Sequence, residues 1–240
     1  MRRWLMLIMV ILLAACAGAP TEEPVDPLEL VTDAAENIRE TESFRLSVER
    51  SGASYFVETD LGSVDFRRAM AQYVAPDVLQ ATVRLIAAGL PADVEIFSRG
   101  EEQWYRHTVL TANVWFHAPF AEGFNPETLI AEDTGFQTAL NSLINLSYEG
   151  QTTLEDGTPV YHLTGRAQGE EISALLANMV ETTGEVLVDV FIHRSLIIPV
   201  RFVIVQPDTA TEAEPEPTTW TVDVYDINAE PALDPPPDAS

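Results

Sequence analysis

Apolar residues recur along this chain in two rhythms. Leu28, Val31, Ala35 and Ile38 fall at helical steps and predict a helix over residues 28–41, with Asp26-Pro27 as cap and first turn. From Ser43 the step becomes two: Phe44, Leu46 and Val48 alternate with Arg45, Ser47 and Glu49. Strand-like runs follow over 53–60, 64–74, 80–88, 92–98 and 103–109, parted by turn signals such as Ala75-Pro76-Asp77, Gly89-Leu90-Pro91 and Arg99-Gly100. After an irregular stretch holding Pro119, Gly123 and Pro126, residues 134–145 predict a second helix with Phe136, Leu140, Leu143 and Ile144 on one side. Strands at 146–153 and 158–165 flank the turn Glu155-Asp156-Gly157. Residues 169–181 predict a third helix through Ile172, Leu175, Leu176, Met179 and Val180. Long strands over 185–194, 197–206 and 218–227 complete the pattern, with an acidic, proline-containing excursion at 207–217 between the last two. Residues 229–240 read as a disordered tail.

Ten or so strands adjacent in sequence with three helices make an α+β fold with a large antiparallel sheet. Val186, Val188, Val190 and Ile192 share one face of their strand, as do Trp220, Val222 and Val224 of theirs. Such a sheet needs cover on one side. Ten strands span roughly 50 Å, whereas three helices side by side cover roughly 30 Å. The shortfall is met by curling of the sheet, by loops, or by an apolar hollow. A core filled by the chain's own side chains is the alternative to a hollow.

The N-terminus carries an address. Met1-Arg2-Arg3 precedes ten unbroken apolar residues, Trp4 to Leu13, too few to span a bilayer but enough for a secretory signal. The run ends in Leu13-Ala14-Ala15-Cys16, which looks like a bacterial lipobox. Residues 1–15 are then a signal peptide, and Cys16, the single cysteine, bears a diacylglycerol and an N-acyl chain such as palmitate. Two or more acyl chains hold a protein stably on a membrane. Residues 16–27, with three prolines and three acidic residues, form the lipidated cysteine and its flexible tether. Residues 28–228 form one domain, placed on the outer face of the bacterial cytoplasmic membrane.

Charge narrows the partners. The 240 residues hold 38 acidic and 13 basic side chains, all arginine, for a net charge of −25. That excludes nucleic acid, whose phosphates need a basic surface. One cysteine excludes an internal disulfide or a cysteine zinc cluster. His107, His117, His162 and His193 match no metal spacing, and no nucleophile elbow, zincin, P-loop or dinucleotide motif occurs. The reading is therefore of a protein that is not an enzyme, without cofactor, catalytic residue or metal site. A hydrolase acting on envelope lipids is disfavoured by the same lack.

The second half of the chain resembles the LppX/LprG-type lipoproteins of mycobacteria and related bacteria. The likeness rests on Thr158-Pro159-Val160-Tyr161-His162-Leu163-Thr164-Gly165, on Gly184-Glu185-Val186-Leu187-Val188-Asp189-Val190, on Pro199-Val200-Arg201-Phe202 and on Trp220-Thr221-Val222-Asp223-Val224-Tyr225-Asp226. The resemblance implies a curved, half-open antiparallel barrel with helices over its concave face. It also implies an apolar cavity that binds acyl chains of a lipid or glycolipid, carried or presented in the cell envelope. Phe44, Leu46, Val48, Phe66, Met70, Leu140, Leu143, Leu176 and Met179 are the candidate lining residues; methionine and phenylalanine suit a pocket that adapts to variable chains. A solid-cored adaptor binding an envelope protein is the alternative.

Overall fold

The computed structural model describes residues 25–59, 62–176, 180 and 182–239. The lipobox, and Cys16 with it, lies outside them. Helix α1 spans Pro27–Arg39; the Asp26 carboxylate accepts the Leu28 N–H at 2.9 Å, and Pro27 opens the first turn. Its buried stripe is Leu30, Val31, Ala34, Ala35 and Ile38. Strands β1 (Ser43–Ser51), β2 (Phe56–Thr59), β3 (Gly62–Val74), β4 (Val78–Ala87), β5 (Leu90–Arg99), β6 (Glu102–Arg106) and β7 (Phe116–His117) follow. Helix α2 (Gly135–Asn141), strands β8 (Ile144–Thr153) and β9 (Pro159–Gln168), helix α3 (Gly169–Ile172), and strands β10 (Glu185–His193), β11 (Pro199–Gln206) and β12 (Thr218–Tyr225) complete the chain.

All twelve strands form one antiparallel sheet in the order β7-β6-β5-β4-β3-β1-β12-β11-β10-β9-β8, with β2 on β3 outside that path. The end strands β7 and β8 do not pair, so the curved sheet stays open, with the helices on its concave face. One end of the sheet carries the β3–β4, β5–β6 and β10–β11 turns and the approach from α1; the other carries the β2–β3 and β4–β5 turns. Asn37 of α1 donates to the Ile197 carbonyl in the β10–β11 turn at 3.0 Å, fixing the helix at the first end.

Two expected helices are shorter than their apolar pattern. Helix α2 stops at Asn141, and Ile144 turns outward as the first residue of β8, 53% exposed. After α3 the chain makes one 3-10 turn over Ser173–Leu176. Ser173 Oγ donates to the Gly169 carbonyl, the Thr182 N–H donates to Ser173 Oγ at 3.0 Å, and the Thr182 hydroxyl also reaches that carbonyl. The Gly169 carbonyl keeps the Ser173 N–H as well, so these bonds tie the end of α3 to the returning chain at Thr182.

The tail expected to be disordered instead lies on the outer face of the sheet. The Asp234 N–H donates to Gln80 Oε1 at 2.7 Å, the Asp234 carboxylate pairs with Arg106, and Arg99 donates to the Ala239 carbonyl. Leu233 and Ala239 pack on a second apolar cluster of Val78, Phe97 and Trp104. That cluster sits behind the main core, so β4–β6 bury both faces. The excursion 207–217 is tied down as well: the Ala53 N–H donates to the Glu216 carbonyl, and Thr218 Oγ1 donates to the Ala53 carbonyl. Gly52, at φ +73°, lies against this crossing, where a Cβ would stand 2.0 Å from the Pro217 carbonyl oxygen.

Candidate functional site: the inner face of the sheet

Strand register aligns the inward side chains into rows. One row runs Tyr148, Leu163, Val190, Phe202, Val222, Val48, Ala69, Val83 and Val94, crossing from β8 to β5 without a polar residue. The next row toward the α1 end holds Val224, Leu46, Ala71, Ala81, Ile96 and Tyr105. Cross-strand neighbours of this kind sit about 5 Å apart, so each row is a continuous oily band.

Cover over these bands is uneven. From β9 to β12, Leu163, Val190, Phe202 and Val222 are fully buried. Phe136 of α2 lies 5.9 Å from both Phe44 and Phe202, and Phe44 stacks on Tyr73 at 4.8 Å. Over β4–β6 the cover is a loop. Gln103, buried among apolar neighbours, accepts the Phe120 and Ala121 N–H groups and donates to the Ala121 and Phe124 carbonyls. Toward the β4–β5 turn no described helix or loop completes the cover: Val57, Val83, Leu85 and Val94 remain only half-buried.

Gly135 sets where α2 begins. Its φ is +47°, and a Cβ there would stand 2.0 Å from the Leu129 carbonyl oxygen. Only glycine lets α2 follow so closely on the 3-10 turn Pro126–Leu129. At the first end of the sheet Tyr73 donates to the Pro76 carbonyl at 2.6 Å, and burial, then Asp77 and Glu127, pushes its phenol well above the usual tyrosine range.

Beside the half-covered stretch lies a buried ion pair. Arg50 Nη2 donates to Asp65 at 2.8 Å, Nε to the Phe66 carbonyl at 2.7 Å, and Nη1 to the Gly52 and Ala53 carbonyls. Burial lowers the Arg50 guanidinium below its usual range, while Asp65 pulls it back. These bonds clamp a β-bulge in β3 between Phe66 and Arg68.

The bulge decides the fate of one predicted residue. Simple alternation puts Phe66 and Met70 on one face, but the inserted residue reverses the faces beyond it. Ala69, Ala71 and Tyr73 therefore point inward, and Met70, 51% exposed, lines a hollow of about 240 Å³ on the outer face with Arg45, Gln80 and Tyr225. Of the other expected lining residues, Phe44, Leu46, Phe66, Leu140 and Leu143 are buried in the main core and Val48 is half-buried against it. Phe66 packs against Trp220, at 5.5 Å between ring centres. The Leu176 side chain and Met179 lie outside the described residues. Val83, Leu85, Val94, Phe202 and Gln103 were not foreseen at the site; the alternation of β4 was visible, but the register that joins it to Val48 was not.

Among the described residues no three His, Cys, Asp or Glu side chains are placed to hold a metal. His162 contacts Asp189 at 2.7 Å and stacks on Phe191, and His117 contacts Glu102 and stacks on Trp104. His107 and His193 each accept two backbone N–H groups of the turn that follows. No described helix is long and apolar enough to cross a membrane.

The architecture has solved counterparts. The crystal structure of LprF from Mycobacterium bovis is similar with a TM-score of 0.60 at 12% identity, covering 88% of this chain and 96% of that one. The crystal structure of the Mycobacterium tuberculosis lipoprotein LppX has a TM-score of 0.58 at 16% identity, covering 88% and 100%. No curated protein sequence matches the chain. The family model of the LppX_LprAFG lipoproteins matches residues 26–230, and the chain belongs to that family.

Proposed function

We propose that this lipoprotein is held by acylated Cys16 on the outer face of the cytoplasmic membrane and binds acyl chains of a lipid or glycolipid against the inner face of its sheet. It carries or presents that lipid in the envelope without catalysing a reaction. The observation that supports this best is the row from Tyr148 to Val94, whose last two members, Val83 and Val94, lack full cover. An acyl chain laid over them, with Leu85 and Val57 beside it, completes the burial that the short helices leave undone. Removing a methylene from water is worth about 0.8 kcal/mol, but leaving a bilayer is nearly neutral, so exchange needs no energy source. The test is native mass spectrometry of the soluble chain, purified from membrane-containing cells. A lipid mass that is displaced in a Val83→Trp variant is the expected result. A chain with no co-purifying lipid and no uptake of added lipid refutes the proposal.

One observation favours a second reading. Phe44, Phe136 and Phe202 seat α2 directly on the sheet, as in a solid core. An envelope adaptor would use such a body to bind a protein partner. It would recover a stoichiometric partner in pull-downs and keep its activity in Leu143→Trp.

A further inference from the structure

Among the described residues Val109 is the most exposed large apolar side chain, at 81%. Leu110, Val114 and Phe116 in the same stretch are 59%, 64% and 54% exposed. No Asp, Glu, Lys or Arg lies between Arg106 and Glu122, in a chain whose net charge is −25. This β6–β7 loop is thus a bare, uncharged protrusion on an acidic protein.

Most of its backbone donors are already satisfied. The Val109 and Leu110 N–H groups donate to His107 Nδ1 at 3.2 and 3.1 Å, and the Thr111 and Asn113 N–H groups donate to the His107 carbonyl. The Val114 N–H donates to the Thr111 carbonyl at 3.0 Å. Of the six positions from Val109 to Val114, all but Ala112 therefore enter an apolar medium without stranding an amide donor, which removes much of the cost of placing irregular backbone in lipid. At the base of the loop Trp115 is held beneath the Arg106 guanidinium, 4.5 Å from its ring centre, an aromatic at the height where a bilayer interface would lie.

The loop also points the right way. Strand β6 runs toward the end of the sheet that carries the β4–β5 turn, where Leu90 is 71% exposed. Val83, Leu85 and Val94 lose their cover toward that same end. The acidic excursion 207–217 also leaves the sheet at that end, but from β11 and β12. It stands five strands from β6, roughly 24 Å at 4.8 Å per strand, so the loop can reach lipid edge-first without bringing those carboxylates down.

We propose that the His107–His117 loop inserts its Val109–Leu110 tip into a lipid bilayer and sets the half-covered end of the inner face against the membrane. The purpose of the contact rests on the carrier reading; the contact itself does not. The chain from residue 17 onward, which lacks the lipobox cysteine, serves as its soluble form. The probe is flotation with phosphatidylcholine vesicles and, separately, with phosphatidylglycerol vesicles. The unaltered chain is expected to float with the first and less with the second, where its charge is repelled. The Val109→Asp/Leu110→Asp variant should lose at least tenfold of its partition. Leu196→Asp, at a turn on the opposite end and 49% exposed in the native chain, should lose none. No flotation of the unaltered chain, equal flotation of the double variant, or equal loss in Leu196→Asp overturns the proposal. Self-association abolished by the double variant, without vesicle binding, assigns the loop to a second copy and overturns it too. Uptake of a fatty acid, followed by native mass spectrometry, separates the two claims. A double variant that has lost flotation but keeps uptake supports the insertion. An unaltered chain that floats but takes up nothing refutes the carrier reading alone.

Discussion

Replacing Arg50 by methionine tests how the inner face is set. The Arg50 side chain has no exposed surface and that of Asp65 only 7%. The variant strands the Phe66 carbonyl, which accepts from Arg50 Nε inside the bulge. An orphaned buried acceptor costs about 1–3 kcal/mol. Asp65 loses a charge-assisted bond of about 1.5–3 kcal/mol but keeps its contact with Arg67 at 2.8 Å. The Ala53 carbonyl keeps the Thr218 hydroxyl, so its loss is small. Together these predict a destabilisation of about 3–5 kcal/mol, the range for breaking one side of a buried pair. In urea unfolding with a slope of about 2 kcal/mol/M, the midpoint falls by about 1.5 M or more. Asp65→Leu added to Arg50→Met should recover part of the loss, because no buried charge then stands partnered only at its edge. A loss below about 1 kcal/mol for Arg50→Met would place this pair with ordinary surface ion pairs and refute the claim that it clamps the bulge.

Phe136→Ala removes the ring that bridges Phe44 and Phe202 and should cost about 3–5 kcal/mol in the same assay. Tyr73→Phe deletes the bond to the Pro76 carbonyl and should cost about 1 kcal/mol at pH 8. The native phenol is held neutral by burial, whereas the unfolded one ionises near pH 10, so native stability drains as pH rises above that value. The loss approaches about 1.4 kcal/mol per pH unit, so by about pH 11 the phenylalanine variant should be the more stable of the two in denaturation curves. Cys16→Ser should move the protein from the membrane to the soluble fraction on cell fractionation; retention at the membrane would mean that another segment anchors it.

Much of this molecule is legible in its alternation. Period alone assigns Val186, Val188, Val190, Ile192, Trp220, Val222 and Val224 to one face of their strands, and all seven are buried. The strands lie close to where the pattern puts them, because a pleated backbone exposes alternate residues whatever its partners are. Met70 marks the limit: one extra residue in β3 reverses every face after it, and nothing in the letters Phe66-Arg67-Arg68 announces the insertion. The third helix gives way to a 3-10 turn at Ser173, where the Ser173 and Thr182 hydroxyls meet on the Gly169 carbonyl, a meeting that exists only once the chain has folded back.

Period, turn chemistry and charge are local properties, so they could be read from neighbouring letters: an acidic α+β protein with one wide antiparallel sheet. Pairing between distant segments is not local. Register alone aligned Val48 with Val83 and Val94, and only the folded chain could lay Leu233 and Ala239 over Phe97 and Trp104. Which oily residues stay uncovered depends on where every other segment comes to rest, and that is why the site emerged with the tertiary structure.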